Sequence, residues 1–285
     1  MKSIFLINSP GQLGNCLYRI ASLAAYSFEY NIPVYDFSFS KYSIFFEHFR
    51  KQYIPMVPKG REAPIEMFHI QKNLRKILRH MMRYNLYKAY NVLEALPDKS
   101  VIPVENLHSS KGKTIFFNAL FLQNDLLVKK YAKELRDLFS IRKNITRDIA
   151  PKYYKIKNSY DEVVAVHIRR GDYATWKDGE FFFELDVYEH FMNEYKAIYL
   201  DKKICFLIFS DSDESQGYSF NGLDIYFASG SAIEDLYLMS LCDKIIAPLH
   251  STFSGWASFS GETPIFRITH PNRKIGSFSV NYQLR

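Results

Sequence analysis

Between residues 163 and 268, short apolar runs return at regular intervals, each followed by an amphipathic stretch, and this recurrence constrains the fold more than any other feature of the chain. Residues 163–168, 204–210, 223–228, 244–247 and 264–268 read as strands, with helical spacing over about 186–200, over 232–242 and in a shorter stretch after Ser254. Alternating strand and helix predicts a doubly wound parallel sheet. The chain begins in the same way. Residues 3–7 are β-prone, Pro10-Gly11-Gln12-Leu13-Gly14-Asn15 reads as a turn, and Leu17, Ile20, Ala21, Ala24, Ala25 and Phe28 follow at helical spacing before a second strand over 33–39. Residues 40–65 read as irregular, with helices expected over 66–92 and 124–139. Two alternating halves in 285 residues predict an α/β chain of two units, 1–150 and 151–285, with the polar stretch 142–161 at their boundary.

Composition narrows the function classes. With 47% hydrophobic and 16% aromatic residues, the chain has ample surface to bury, which excludes disorder as its main state. Cys16, Cys205 and Cys242 have no metal-ligand spacing and lie in apolar runs, so reduced thiols in a cytosolic compartment are expected. The first apolar run is too short for a signal-peptide core, and no segment approaches the roughly 18 apolar residues of a membrane span. A soluble protein is expected, with peripheral membrane contact open. The net charge of +7 favours an anionic partner. It is unevenly held: residues 1–150 carry 23 Lys and Arg against 12 acids, residues 151–285 carry 14 against 18. None of the recognised nucleic-acid-binding motifs is present, so no nucleic-acid partner is expected.

His167-Ile168-Arg169-Arg170-Gly171-Asp172 ends the first strand of the second half. Residues just past a strand's carboxyl end face the ligand crevice of a parallel sheet, and two guanidiniums beside a glycine there suit a diphosphate clamp. Leu249-His250-Ser251-Thr252-Phe253-Ser254-Gly255-Trp256 is a hydroxyl-rich turn at a helix start, which offers donors to phosphate oxygens or serves as an ordinary cap. Gly11-Gln12-Leu13-Gly14-Asn15 lacks the third glycine of the dinucleotide fingerprint. Phe209-Ser210-Asp211-Ser212-Asp213 presents a D-x-D after a strand, which opens a competing reading as a divalent-cation site of a metal-dependent transferase.

These blocks together resemble the α-1,2-fucosyltransferase family. His167 to Tyr173 is similar to its H-x-R-R-G-D signature, Gly11 to Asn15 to its amino-terminal turn, Phe209-Ser210-Asp211 to its strand end, and Asp235 to Met239 with Ser251 to Trp256 to its late helix and hydroxyl block. The resemblance implies a GT-B architecture of two Rossmann-like domains, with GDP-fucose held mainly by the carboxyl-terminal one and the acceptor mainly by the other. It implies inversion at the anomeric carbon, no metal or other cofactor, and a galactoside 2-OH acceptor of the kind found in bacterial surface polysaccharide. Carried over by position, Arg169 contacts the β-phosphate, His167 lines the nucleotide pocket and Ser251, Thr252, Phe253 and Ser254 meet the phosphates. Gly11 and Gly14, with Asn15, let backbone approach the sugar diphosphate, while Arg170, Ser210 and Asp211 complete the donor side. Asp172 and Asp235 orient arginine and loop. The chain departs from the family where Cys16 follows Asn15 and where Ala228 to Ser231 carries no acid to meet guanine. Asp211, Asp213 and Glu214 are the nearest substitutes.

Fucosyl transfer builds negative charge on the leaving diphosphate, which gives Arg169 its expected role in catalysis. Asp178 and Glu180, just after the signature, are candidates for the base that deprotonates the acceptor. The stretch 72–88 carries Lys72, Arg75, Lys76, Arg79, Arg83 and Lys88 without an acid beside Leu74, Ile77, Leu78, Met81 and Met82. That pattern suits either a helix on the domain core or a membrane surface bearing a lipid-linked acceptor. A non-catalytic module for anionic glycans is the remaining alternative.

Overall fold

The computed structural model describes residues 3–6, 11–36, 39–48, 73, 76–77, 80–81, 84, 101–109, 114–117 and 119–283. Apart from those few positions, the basic stretch expected as a helix over 66–92 lies outside the described residues. The chain divides into two compact units, Met1–Arg142 with Tyr282–Leu284, and Lys143–Asn281.

The first unit is built on β1 (Ser3–Leu6), which pairs in parallel with β2 (Val34–Asp36) on one side and β4 (Thr114–Phe117) on the other. Helix α1 (Leu13–Tyr30) is the β1–β2 crossover; it buries residues along most of its length and stops at Asn31, whose left-handed φ of 51° ends the hydrogen-bond ladder. The unit also has two short helices, α2 (Ser40–Ser43) and α3 (Val104–Ser109), and a separate parallel pair made of β3 (Val101–Pro103), which runs directly into α3, and β5 (Phe121–Gln123). The helix expected over 124–139 is two helices, α4 (Asp125–Lys130) and α5 (Ala132–Leu138). Its break falls at Tyr131, whose ring lies 5.6 Å from that of Phe28 and whose hydroxyl donates to Glu29 at 2.7 Å, so contacts with α1 override the local helical preference.

The second unit opens with α6 (Lys143–Lys157). Its polar sequence reads as a linker, but Ile149 and Tyr153 are buried on one face, and two inward residues suffice to dock a helix whose other faces are solvated. A five-stranded, all-parallel sheet follows: β6 (Glu162–Ile168), β7 (Ile204–Ser210), β8 (Asp224–Phe227), β9 (Lys244–Pro248) and β10 (Ile265–Ile268), in the order β10-β9-β6-β7-β8. All seven residues of β6 are buried, as a central strand covered on both faces requires. The helices are α7 (Leu185–Ile198), the single-turn α8 (Glu214–Gly217), α9 (Ala232–Leu241) and α10 (Thr252–Gly261). Val164, Val166 and Ile168 pack with Tyr188, Phe191, Met192 and Tyr195 of α7 in one core. Side chains alternate along a strand, so His167 lies on the opposite face of β6 from that core.

All three cysteines are buried free thiols. Among the described residues no helix is long and apolar enough to cross a membrane.

Candidate functional site

The carboxyl ends of β6, β7 and β9 bring the signature, the Phe-Ser-Asp block and the hydroxyl block together. Arg169 leaves β6 with a side chain only 15% exposed and forks between two carboxylates: Nη1 to Asp211 Oδ2 at 2.7 Å and Nη2 to Asp172 Oδ1 at 2.6 Å. The other oxygen of Asp211 accepts the Arg170 backbone N–H at 2.8 Å. One carboxylate after β7 therefore fixes both the side chain of one arginine and the backbone of the next. Gly171 explains itself here, because a Cβ at that position would stand 2.5 Å from Asp211 Oδ2. Ser210 closes the turn below, its hydroxyl accepting the Ser212 N–H at 3.2 Å.

Arg170 behaves differently from its neighbour. Its Nη1 donates to the Phe183 carbonyl at 3.2 Å and to Glu184 at 2.9 Å, its Nη2 pairs with Glu214 at 2.8 Å, and its guanidinium lies 4.1 Å from the centroid of the Phe182 ring. The expected two-arginine clamp is thus divided, with Arg170 spanning the 183–184 segment and α8 while Arg169 stays with the strand-end carboxylates.

On the other side of β6, His167 Nδ1 lies 2.9 Å from the Ser251 hydroxyl. Ser251 is the N-cap of α10 and its oxygen accepts the Ser254 N–H at 3.3 Å. Ser251 thereby joins the ring of His167 to the start of α10. Burial, with Arg169 and Arg267 adding repulsion, pushes the His167 pKa down to about 3, so the ring is neutral at physiological pH. Phe253 packs 5.4 Å from the same ring, and Thr252 and Phe253 are half-buried in the first turn of α10. The hydroxyl block thus does cap a helix at the sheet's carboxyl edge, and its amides face the direction in which an anion is stabilised.

Two features escaped the sequence reading. Arg267, a lone basic residue in the apolar strand β10, donates from Nη1 to the Ser251 carbonyl at 3.0 Å and to the Pro248 carbonyl at 3.3 Å, bracing the turn ahead of α10. A cation inside an apolar strand was the signal available. The second is a ring cluster of Tyr173, Trp176, Phe181 and His250, which joins the segment after β6 to the turn after β9.

Asp178 and Glu180 are both exposed, on a segment where Lys177 and Asp178 take positive φ of 49° and 57° ahead of Gly179 at 77°. Asp235, in α9, accepts the Gly230 N–H at 3.1 Å and so holds the turn after β8. Its burial raises its pKa to about 6. Gly11, Gly14 and Asn15 belong to the first unit. There Gly11 has φ 79°, a Cβ on it would strike the Asn15 side chain, and Gly14 is buried in the first turn of α1. Among the described residues no set of three His, Cys, Asp or Glu gathers as for a metal ion. Asp211, the first acid of the D-x-D, already has both oxygens engaged with arginine groups.

The profile of glycosyl transferase family 11 matches residues 31–278, which takes in the signature, the Phe-Ser-Asp strand end and the hydroxyl block. The chain belongs to glycosyl transferase family 11. The family read from the motifs is thereby borne out. None of the curated proteins matches the chain in sequence. Among solved structures, Arabidopsis thaliana FUT1 in complex with GDP is similar over 99% of this chain and 74% of its own, with a TM-score of 0.60 and 12% identity. The NodZ α-1,6-fucosyltransferase soaked with GDP-fucose is similar over 98% of each chain, with a TM-score of 0.54 and 16% identity. POFUT1 in complex with GDP covers 93% of this chain and 97% of its own, at 0.51 and 12%. These likenesses bear out the α/β, GT-B-like fold with parallel sheets. In this member of family 11, the best-defined polar constellation of the second unit is the Arg169–Asp211 pair beside the cap of α10.

Proposed function

We propose that the chain transfers fucose from GDP-fucose to a hydroxyl of a glycan. The observation that carries this reading is the Arg169 guanidinium, held by Asp211 and Asp172 at the carboxyl edge of the sheet in a chain of glycosyl transferase family 11. The three similar structures are fucosyltransferases by name, and the FUT1 and POFUT1 structures carry GDP.

Cleavage of the sugar–diphosphate bond adds one negative charge to a β-phosphate that already carries one. A guanidinium already oriented by two carboxylates meets that charge without reorganising, and the capped start of α10 adds amide dipoles of the same sign. His167, neutral and joined to Ser251, fixes the strand end against that helix. Thr252, Phe253 and Ser254 of the first turn line the phosphate side, and Asp235 orders the turn after β8 on the donor side. Arg170 acts as a positioning residue. In this reading residues 151–285 hold the donor and residues 1–150 serve the acceptor, with Gly11, Gly14 and Asn15 letting the first unit's backbone approach the sugar diphosphate. The reaction inverts the anomeric centre, uses a galactoside 2-OH, and draws on Arg169 rather than a metal or other cofactor for charge. Asp178 or Glu180 takes the acceptor proton. The basic excess of residues 1–150 fits a cytoplasmic enzyme at a membrane-borne, lipid-linked acceptor in the assembly of a bacterial surface polysaccharide, and liposome co-sedimentation reads that out.

The deciding assay is turnover of several nucleotide sugars with and without EDTA, followed by linkage analysis of the product. Consumption of GDP-fucose unaffected by EDTA is expected. Loss of turnover in EDTA favours the metal-dependent D-x-D reading, and binding without turnover favours a glycan-binding module.

A further inference from the structure

We propose that the indole of Trp176 is a stacking platform for the fucosyl ring of the donor. This assignment rests on the donor reading above. Trp176 is 38% exposed in a ring cluster in which Tyr173 is 7% exposed, Phe181 4% and His250 half-buried. Its ring centroid lies 5.2 Å from Tyr173, 6.0 Å from Phe181 and 5.6 Å from His250, so three neighbours fix its plane before any ligand arrives.

Its place in the site follows from one shared ring. Tyr173 touches the Trp176 indole and also lies 5.7 Å from the Arg169 guanidinium, so the exposed indole is one aromatic ring away from the proposed phosphate anchor. In a nucleotide diphosphate sugar the pyranose is joined to the β-phosphate through a single oxygen. A platform one ring from the guanidinium therefore matches the sugar rather than the nucleoside. A 6-deoxy sugar offers a methyl group and a patch of C–H groups to such a surface, and the acids nearby in sequence, Asp172, Asp178 and Glu180, suit its hydroxyls.

The backbone supports a binding role. Lys177, Asp178 and Gly179 all hold positive φ immediately after Trp176, and two of the three are residues that pay a steric penalty for it. The Lys177 ammonium lies 5.1 Å from the indole centroid, an exposed cation–π contact that a pyranose can displace.

The chain has two tryptophans, and Trp256 is only 1% exposed, so acrylamide quenching of tryptophan fluorescence reports mainly on Trp176. In the full-length protein, GDP-fucose should reduce quenching at least about twofold relative to saturating GDP. By calorimetry, Trp176→Ala should weaken GDP-fucose about tenfold, change GDP by less than about twofold, and be largely rescued by Trp176→Tyr. Equal quenching with GDP and GDP-fucose, or equal weakening of both ligands in Trp176→Ala, would overturn the platform. If GDP itself fails to bind the parent protein, the donor assignment falls and the platform with it.

Discussion

Asp211 accepts from Arg169 through one carboxylate oxygen and from the backbone of Arg170 through the other, tying the end of β7 to the residues that follow β6. Adjacent parallel strands thus share one anionic fastener at the edge where the proposed donor binds.

Arg169→Lys keeps the positive charge and loses the fork. Removing one preorganised donor costs about 3 to 4 kcal/mol of transition-state stabilisation, or about 100 to 1000-fold in rate. A steady-state assay with GDP-fucose should therefore find kcat reduced by that factor, with an unchanged circular dichroism spectrum. Near-normal turnover would remove Arg169 from the reaction.

Gly171→Ala places a methyl group 2.5 Å from Asp211 Oδ2. Asp211 is a side chain at the surface and can retreat, so the expected cost appears in function rather than folding. Activity should fall at least about tenfold while stability drops by no more than about 1–3 kcal/mol, a range set by overpacking. Denaturant midpoints measured beside kcat/KM separate the two.

His167 ordinarily titrates near 6.5, but in the folded chain it stays neutral down to about 3. Unfolded chain therefore takes up a proton that folded chain refuses across this window. Its contribution is whole above about 6.5 and declines as pH falls toward 3. His167→Asn, which removes the titrating ring, should flatten the acid side of a stability–pH profile. A profile unchanged in slope would show that another group governs acid unfolding.

Asp235 has the opposite sign. Its carboxyl moves from an ordinary 3.8 to about 6, first through burial, so the folded chain holds the proton more tightly than the unfolded chain. Stability from this group is greatest below 3.8 and declines as pH rises through 6. Asp235→Asn retains an acceptor for the Gly230 N–H and should gain on the parent in thermal midpoint above about pH 6. No gain at pH 8 would mean that the carboxylate is better solvated than its burial indicates.

Asp178→Asn and Glu180→Gln, tested singly and together, address the acceptor side. Positioned bases contribute about 100 to 10,000-fold, so the double variant should lose at least the lower figure in kcat and show a shifted pH–rate profile. Retention of most activity in both single variants would end the idea of a base on this segment.

Most of the second unit was legible because its strands are continuous apolar runs. The run 204–210 is β7 to the residue, and β6 differs from expectation only by the inclusion of Glu162. The first unit was harder. β3, β4 and β5 are three or four residues each, too short to carry a periodic signal. In the second unit, α6 lay hidden in a polar stretch with just two inward-facing residues. At the site, residue identity was legible and connectivity was not. Arg169, Arg170 and Asp211 could be named from their blocks, but the separation of the two guanidiniums depends on Glu184 and Glu214, which come from elements that no local pattern joins to the signature.

The double duty of Asp211 also bears on how a mutational scan of this chain would be interpreted. Replacing either acid of a D-x-D is commonly taken as a probe for a bound cation. Here the first acid is a structural counter-ion, and its loss would slacken Arg169 and the following turn at one stroke. An inactive Asp211 variant would look the same whether or not a cation took part, which leaves chelation and added metal as the informative measurements.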